Sequence, residues 1–154
     1  MDKGEYLLER VSTVPTTLDK AWAFFSDPRN LAFITPPEMD FQIRTKLEPG
    51  EFYEGMIIEY TVKPFGNIPV RWVSEICEIV DKERFVDAQR KGPYKKWVHR
   101  HEFSEGEGGV HMRDVVIYAM PYGILGRLMH WLIVRRQLER IFDFRSQKIR
   151  FLFQ

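Results

Sequence analysis

The chain has 154 residues, 44% of them hydrophobic and 29% charged, which fits one globular domain with a real core rather than a disordered polymer. A formal net charge of +1 leaves no global electrostatic footprint for nucleic acid, and a lone cysteine, Cys77, excludes an intramolecular disulfide. The charged start Met1-Asp2-Lys3-Gly4-Glu5 lacks the apolar run of a signal peptide, and the longest apolar candidate, Leu128 to Val134, is interrupted by His130 and closed by Arg135-Arg136. A cytoplasmic protein is expected.

In chain order, Glu5 to Val14 predicts a strand that Pro15 ends. Thr16 with Asp19 offers a capping box for a helix carrying Leu18, Ala21, Trp22 and Phe25. Asp27 and Pro28 open a second short helix that Pro36-Pro37 stops. Strands then follow one another: Phe41 to Leu47, Met56 to Val62, Ile68 to Val80, Phe85 to Arg90, Trp97 to Phe103 and Val110 to Met120. The remainder, from about Ile124 to Phe151, predicts one long helix whose apolar stripe is Leu128, Trp131, Val134, Leu138, Ile141 and Phe142. Arg127, Arg135, Arg136, Arg140, Arg145, Lys148 and Arg150 form its basic face. A solvated face with pairs such as Arg135–Glu139 is the expected role. A peripheral contact with anionic lipid or a partner protein is the alternative.

Consecutive strands without crossover helices pair as antiparallel meanders, and the long helix is the one large cover for the inner sheet face. The expected architecture is therefore α+β, a curved antiparallel sheet wrapped around a C-terminal helix, with two short helices after the first strand. One domain spans residues 1–154, since no repeat, linker or low-complexity tract appears.

The strand after Gly92-Pro93 carries the chemistry. Trp97, His99, His101 and Phe103 share one parity, and Lys96, Val98, Arg100 and Glu102 the other, so two imidazoles turn inward between aromatic rings. If Phe103 pairs with Met112 across the Gly106–Gly109 loop, then His101 faces Asp114, His99 faces Val116 and Trp97 faces Tyr118. A His101–Asp114 pair, with His99 beside it, would be an acid/base set in which the carboxylate raises the imidazole pKa. The alternative is a buried polar pair that sets strand register. Asp87 and Gln89 share the parity of Phe85, and Tyr60, Trp72, Ser74, Trp97, His99, Tyr118 and Trp131 complete the expected wall of a ligand chamber. A metal held by His99, His101 and Asp87 or Asp114 is weighed and set aside, because a strand His-x-His pair is common without one. No metal and no cofactor are expected. Cys77 reads as core, with no base beside it.

Several segments resemble the START-like, or Bet v 1-like, superfamily of SRPBCC proteins. They are Ala21 to Leu31 (AWAFFSDPRNL), Thr35-Pro36-Pro37, Arg71-Trp72, Phe85-Val86-Asp87, Gly92-Pro93-Tyr94, Trp97 to Phe103, Arg113-Asp114 to Tyr118, and Pro121-Tyr122-Gly123 followed by an arginine-rich helix. The pattern is most similar to the bacterial branch described as polyketide cyclase/dehydrase-like or cell-division-inhibitor-like. The resemblance implies a helix-grip fold. It implies a hydrophobic small-molecule ligand (a lipid, polyketide or aromatic metabolite), with a cyclase or dehydratase enzyme as the rival.

Overall fold

The computed structural model describes residues 1–154. Strand β1 (Glu5–Val14) leads into helix α1 (Leu18–Phe25), then into two tight 3₁₀ turns, Pro28–Ile34 and Pro37–Met39. Six strands follow: β2 (Gln42–Ile43), β3 (Ile57–Val62), β4 (Val70–Val80), β5 (Arg84–Lys91), β6 (Lys96–Gly106) and β7 (Gly109–Ala119). The chain ends in helix α2 (Gly123–Met129), a π turn (His130–Val134) and helix α3 (Arg135–Leu152), which run on from one another.

All seven strands lie in one antiparallel sheet of order β1-β7-β6-β5-β4-β3-β2. The order follows from the connections. Each neighbour from β2 to β7 is joined by a turn or loop, while β1 closes onto β7, the last strand made. The β6–β7 register is the one the alternation demands: Trp97 opposite Tyr118, His99 opposite Val116, His101 opposite Asp114 and Phe103 opposite Met112.

Local signals account for the early elements with one shift. The cap of α1 is Thr17, not Thr16, and its hydroxyl accepts from the Lys20 amide. Asp27 caps the first 3₁₀ turn by accepting from the Arg29 amide, with Pro28 at the first position. The expected strand Phe41 to Leu47 shortens to Gln42–Ile43. Beyond Ile43 the regular ladder breaks: the Arg44 and Thr45 amides both donate to Glu59 O, and the Glu59 amide donates to Thr45 Oγ1 at 2.7 Å.

Cys77 is exposed rather than core. It lies where the β4–β5 register slips between Ile76 and Glu78, so the residue has no partner across the ladder. Its sulfur sits beside Glu75 and Arg90 on the outer face.

The C-terminal helix departs most from the even periodicity. Leu128 and Trp131 are 53% and 59% exposed, while Gly126, His130 and Val134 turn inward. A π turn closes i→i+5 hydrogen bonds and carries an extra residue, which rotates everything before it out of the phase set by α3. In α3 the buried stripe is Leu138, Phe142, Arg145 and Ile149. Arg145 therefore leaves the basic face assigned to it and points into the fold.

Two buried apolar clusters fill the space between sheet and helix. One gathers Trp22, Phe85, Phe103, Met112 and Ile149; the other gathers Trp72, Tyr94, Val116, Tyr118, Leu138 and Phe142. No helix is long and apolar enough to cross a membrane.

Candidate functional site

Between the two apolar clusters lies a polar belt, one layer deep. It is built from Asp87 on β5, His99 and His101 on β6, Asp114 on β7 and Arg145 on α3. Each strand supplies these residues at its inward parity, midway between the rings that feed one cluster and those that feed the other. Along β6, Trp97 joins one cluster, His99 and His101 the belt, and Phe103 the second cluster.

The hydrogen bonds pair the groups differently from the simple cross-strand expectation. His101 and Asp114 are direct cross-strand neighbours, but His101 Nδ1 stops 3.5 Å from Asp114 Oδ1 and makes no hydrogen bond. Instead His101 Nε2 lies 2.6 Å from Asp87 Oδ2, and His99 Nε2 lies 2.8 Å from Asp114 Oδ1. The rings of His99 and His101 stack with centroids 3.7 Å apart, and Phe85 stacks on the far side of His101 at 4.1 Å. Side chains at i and i+2 of one strand are neighbours on one face, and the stack swings each imidazole toward a different carboxylate.

Electrostatics divide the roles. Burial, then the neighbouring His99, push the His101 pKa down to about 4, and the hydrogen bond that His101 donates to Asp87 only partly opposes them. This reverses the expected rise, because desolvation of an imidazolium outweighs one carboxylate at this site. At neutral pH His101 is a neutral ring. Burial alone would raise the Asp114 carboxyl, but Arg145 and the hydrogen bond to His99 prevail and hold it well below the usual carboxylate range. Asp87 is also held low: burial is the largest influence and opposes this, but the His101 hydrogen bond and the nearby His101, His99 and Arg145 together outweigh it.

Asp87, His99, His101 and Arg145 of the belt line a cavity of about 190 Å³ whose other walls come from both apolar clusters. Tyr60, Trp72, Ser74, Phe85, Asp87, Trp97, His99 and His101 all line it. Tyr60 and Trp72 stack at 5.8 Å, and the Trp72 indole donates to Ser74 Oγ at 3.1 Å, so the Ser74 hydroxyl is engaged internally. Leu31 and Ile34 from the first 3₁₀ turn, with Ile141 and Phe142 from α3, close the opposite side.

Four expected site residues lie elsewhere. Gln89 turns to the Gly92-Pro93-Tyr94 bend, where its amide donates to Tyr94 O at 2.7 Å and accepts from the Tyr94 amide. Tyr118 is buried behind the wall, its hydroxyl 2.7 Å from His130 Nε2. Trp131 is exposed beyond the π turn. Asp114 is buried behind His99 and is not part of the wall.

Arg145 is the wall residue that the sequence reading placed elsewhere. It lines the cavity at 7% exposure, with its guanidinium carbon 5.7 Å from the Phe25 ring centre and 5.8 Å from that of Phe142. The signal was present: Leu138, Phe142, Arg145 and Ile149 follow the i, i+4, i+7, i+11 spacing of an inward stripe.

Asp87, His99 and His101 also bring three metal-ligating atoms within 4.8 Å of one another. The two imidazole planes are only 26° apart, so their lone pairs run side by side rather than converging on a common centre, and both Nε2 atoms are engaged by carboxylates. The arrangement suits proton sharing better than ligation.

The architecture matches solved structures along almost the whole chain. Protein CV1439 from Chromobacterium violaceum superposes with a TM-score of 0.71 at 12% identity, covering 96% of this chain and 97% of that one. Ara h 8.0201, a Bet v 1-like protein, superposes at 0.61 with 16% identity, covering 95% and 98%. The fold is the START-like, or Bet v 1-like, helix-grip fold. TTHA0849 from Thermus thermophilus shares it at a TM-score of 0.62 and 16% identity, over 94% of this chain and 96% of that one. No family model and no curated protein matches the sequence. In this chain the sheet grips α3, and the cavity lies between them.

Proposed function

We propose that this protein binds a hydrophobic small molecule, of the lipid, polyketide or aromatic-metabolite kind, in the cavity between sheet and α3. The observation that carries the reading is the cavity itself: a lining that is mostly aromatic and aliphatic, into which the polar belt sets Asp87, His99, His101 and Arg145. Burying apolar ligand surface there yields roughly 25 cal/mol per Å² before the costs of association. The few placed polar groups give orientation, as in most small-molecule pockets. The Bet v 1-like fold supports the same reading by analogy. The net charge of +1 offers no electrostatic footprint for a nucleic-acid partner.

Native mass spectrometry of freshly purified protein tests it. A retained non-covalent adduct, displaced by an excess of a small apolar competitor, is the expected result. Protein that carries no adduct and takes up none from a panel of apolar compounds contradicts the reading.

A second reading is supported by the two imidazole–carboxylate pairs at 2.8 and 2.6 Å: an acid–base enzyme of the cyclase or dehydratase kind, using His101, Asp114 and His99. His101→Ala separates the two. A carrier keeps its apolar ligand affinity and shows no turnover to lose, whereas an enzyme loses turnover while still binding.

A further inference from the structure

Two buried polar atoms of the belt stand without a hydrogen-bond partner, His101 Nδ1 and Arg145 Nε, and of these only the second belongs to a charged group at neutral pH. Each carboxylate is served: Asp87 Oδ2 by His101 Nε2 at 2.6 Å, and Asp114 Oδ1 by His99 Nε2 at 2.8 Å. Arg145 is not. Its Nη2 approaches Asp114 Oδ1 only to 3.6 Å, beyond hydrogen-bond length, and its Nε is buried without any partner. The guanidinium has five donors and cannot shed its charge, so a buried, unbonded one on a cavity wall is a costly arrangement unless something completes it. The side chain itself is only 9% exposed, and α3 holds it at this level between Phe142 and Ile149.

We propose that the ligand is an acid: an apolar or aromatic body seated among Tyr60, Trp72 and Phe142, with a carboxylate that receives the free edge of the Arg145 guanidinium. A planar guanidinium matches a carboxylate through paired N–H donors. The aromatic walls accept the body, and the already-satisfied Asp87 and Asp114 leave no comparable demand for a cationic head. The inference rests on the cavity reading above and adds the chemical class of its occupant.

Paired probes test it: cinnamate against cinnamyl alcohol, which differ chiefly in the head group, each displacing Nile red from the cavity. Wild-type protein is expected to prefer the acid by tenfold or more, and Arg145→Met to lose that preference while keeping its affinity for the alcohol. Arg145→Lys should restore part of it. Equal affinities in the wild type, or a preference that survives in Arg145→Met, overturn the proposal. Should Arg145→Met not fold, nitrogen NMR of the wild type decides. Cinnamate must move an arginine Nε–H resonance that is missing in Arg145→Lys and that cinnamyl alcohol leaves in place; an unmoved signal overturns the proposal. Failure of Nile red and both probes to bind would remove the cavity reading itself, and this proposal with it.

A different observation carries a second inference. The arm that joins β7 to α3 exposes Tyr122, Ile124, Leu125, Leu128, Trp131 and Leu132, each more than half accessible. Arg127, Arg135 and Arg136 stand among them, all exposed, and no acidic residue occurs between Asp114 and Glu139. A scattered exposed leucine is ordinary, but a contiguous apolar face set among three arginines, of which only Arg135 has a carboxylate partner, Glu139 at 3.5 Å, is not. We infer that this arm docks on an anionic lipid surface, its leucines and Trp131 entering the headgroup boundary and its arginines meeting the phosphates. A second copy is the poorer occupant, because a two-fold contact would set the three arginines of each arm against those of the other.

Co-sedimentation with phosphatidylcholine–phosphatidylserine vesicles, against phosphatidylcholine alone, is the test. Binding to the anionic vesicles only, weakened by salt and lost in Leu125→Glu and Leu132→Glu, is expected. No binding to anionic vesicles overturns the inference, as does a dimer in solution that the same substitutions dissociate.

Discussion

At the scale of the residue, the belt shows how burial rewrites the chemistry of familiar groups. An imidazole beside a carboxylate ordinarily has its pKa raised, and His101 has two carboxylates nearby, yet desolvation and the stacked His99 take it down to about 4. The sign of the stability effect follows. The unfolded chain binds a proton at His101 near its ordinary 6.5, and the folded chain only near 4, so the unfolded state holds more protons in between. His101 therefore leaves stability intact above pH 6.5 and removes roughly 3 kcal/mol as pH falls to 4. Urea unfolding across that range should show this decline in the wild type. His101→Gln, which keeps an N–H donor toward Asp87, should flatten it; an undiminished acid decline in that variant would place its source in other groups.

At the scale of the element, what the sequence discloses depends on whether one periodicity persists. The alternation from Trp97 to Phe103 and from Val110 to Tyr118 runs unbroken, so the β6–β7 register could be read pair by pair, including His101 opposite Asp114. Which carboxylate each imidazole chooses was not legible. It depends on ring stacking and on the third strand, β5, whose Asp87 sits opposite His99 yet bonds His101. Irregularities hide themselves more fully. The slip in β4 beside Cys77 and the π turn at His130 each add one residue to a regular element, and neither has a compositional signature. That single residue misplaced Trp131 and Leu128, and the run of arginines drew Arg145 onto the wrong face. Gly126 shows how tightly the arm's base is held: a Cβ there would meet Pro121 O at 1.8 Å. Gly126→Ala should cost about 1–3 kcal/mol in urea unfolding, whereas Ile124→Ala on the exposed face should stay within about 0.5 kcal/mol. Equal effects would mean that the arm packs differently from the arrangement described.

At the scale of the molecule, the helix-grip fold stacks two apolar clusters around a layer of five ionisable groups and leaves a cavity beside that layer. A core built only for stability gains little from such a layer, since buried ion pairs seldom outperform well-packed apolar replacements. The belt and the cavity make sense together, one orienting what the other encloses. Filling the cavity from the helix side should therefore displace whatever it encloses. Ile141 is half-buried on the wall, and a larger ring there has room to turn inward. Nile red fluorescence should report saturable binding to the wild type, and Ile141→Trp should weaken it at least tenfold while circular dichroism and the unfolding midpoint stay near wild-type values. Undiminished binding in a folded Ile141→Trp, or no saturable binding to the wild type at all, would contradict a ligand held between the sheet and α3.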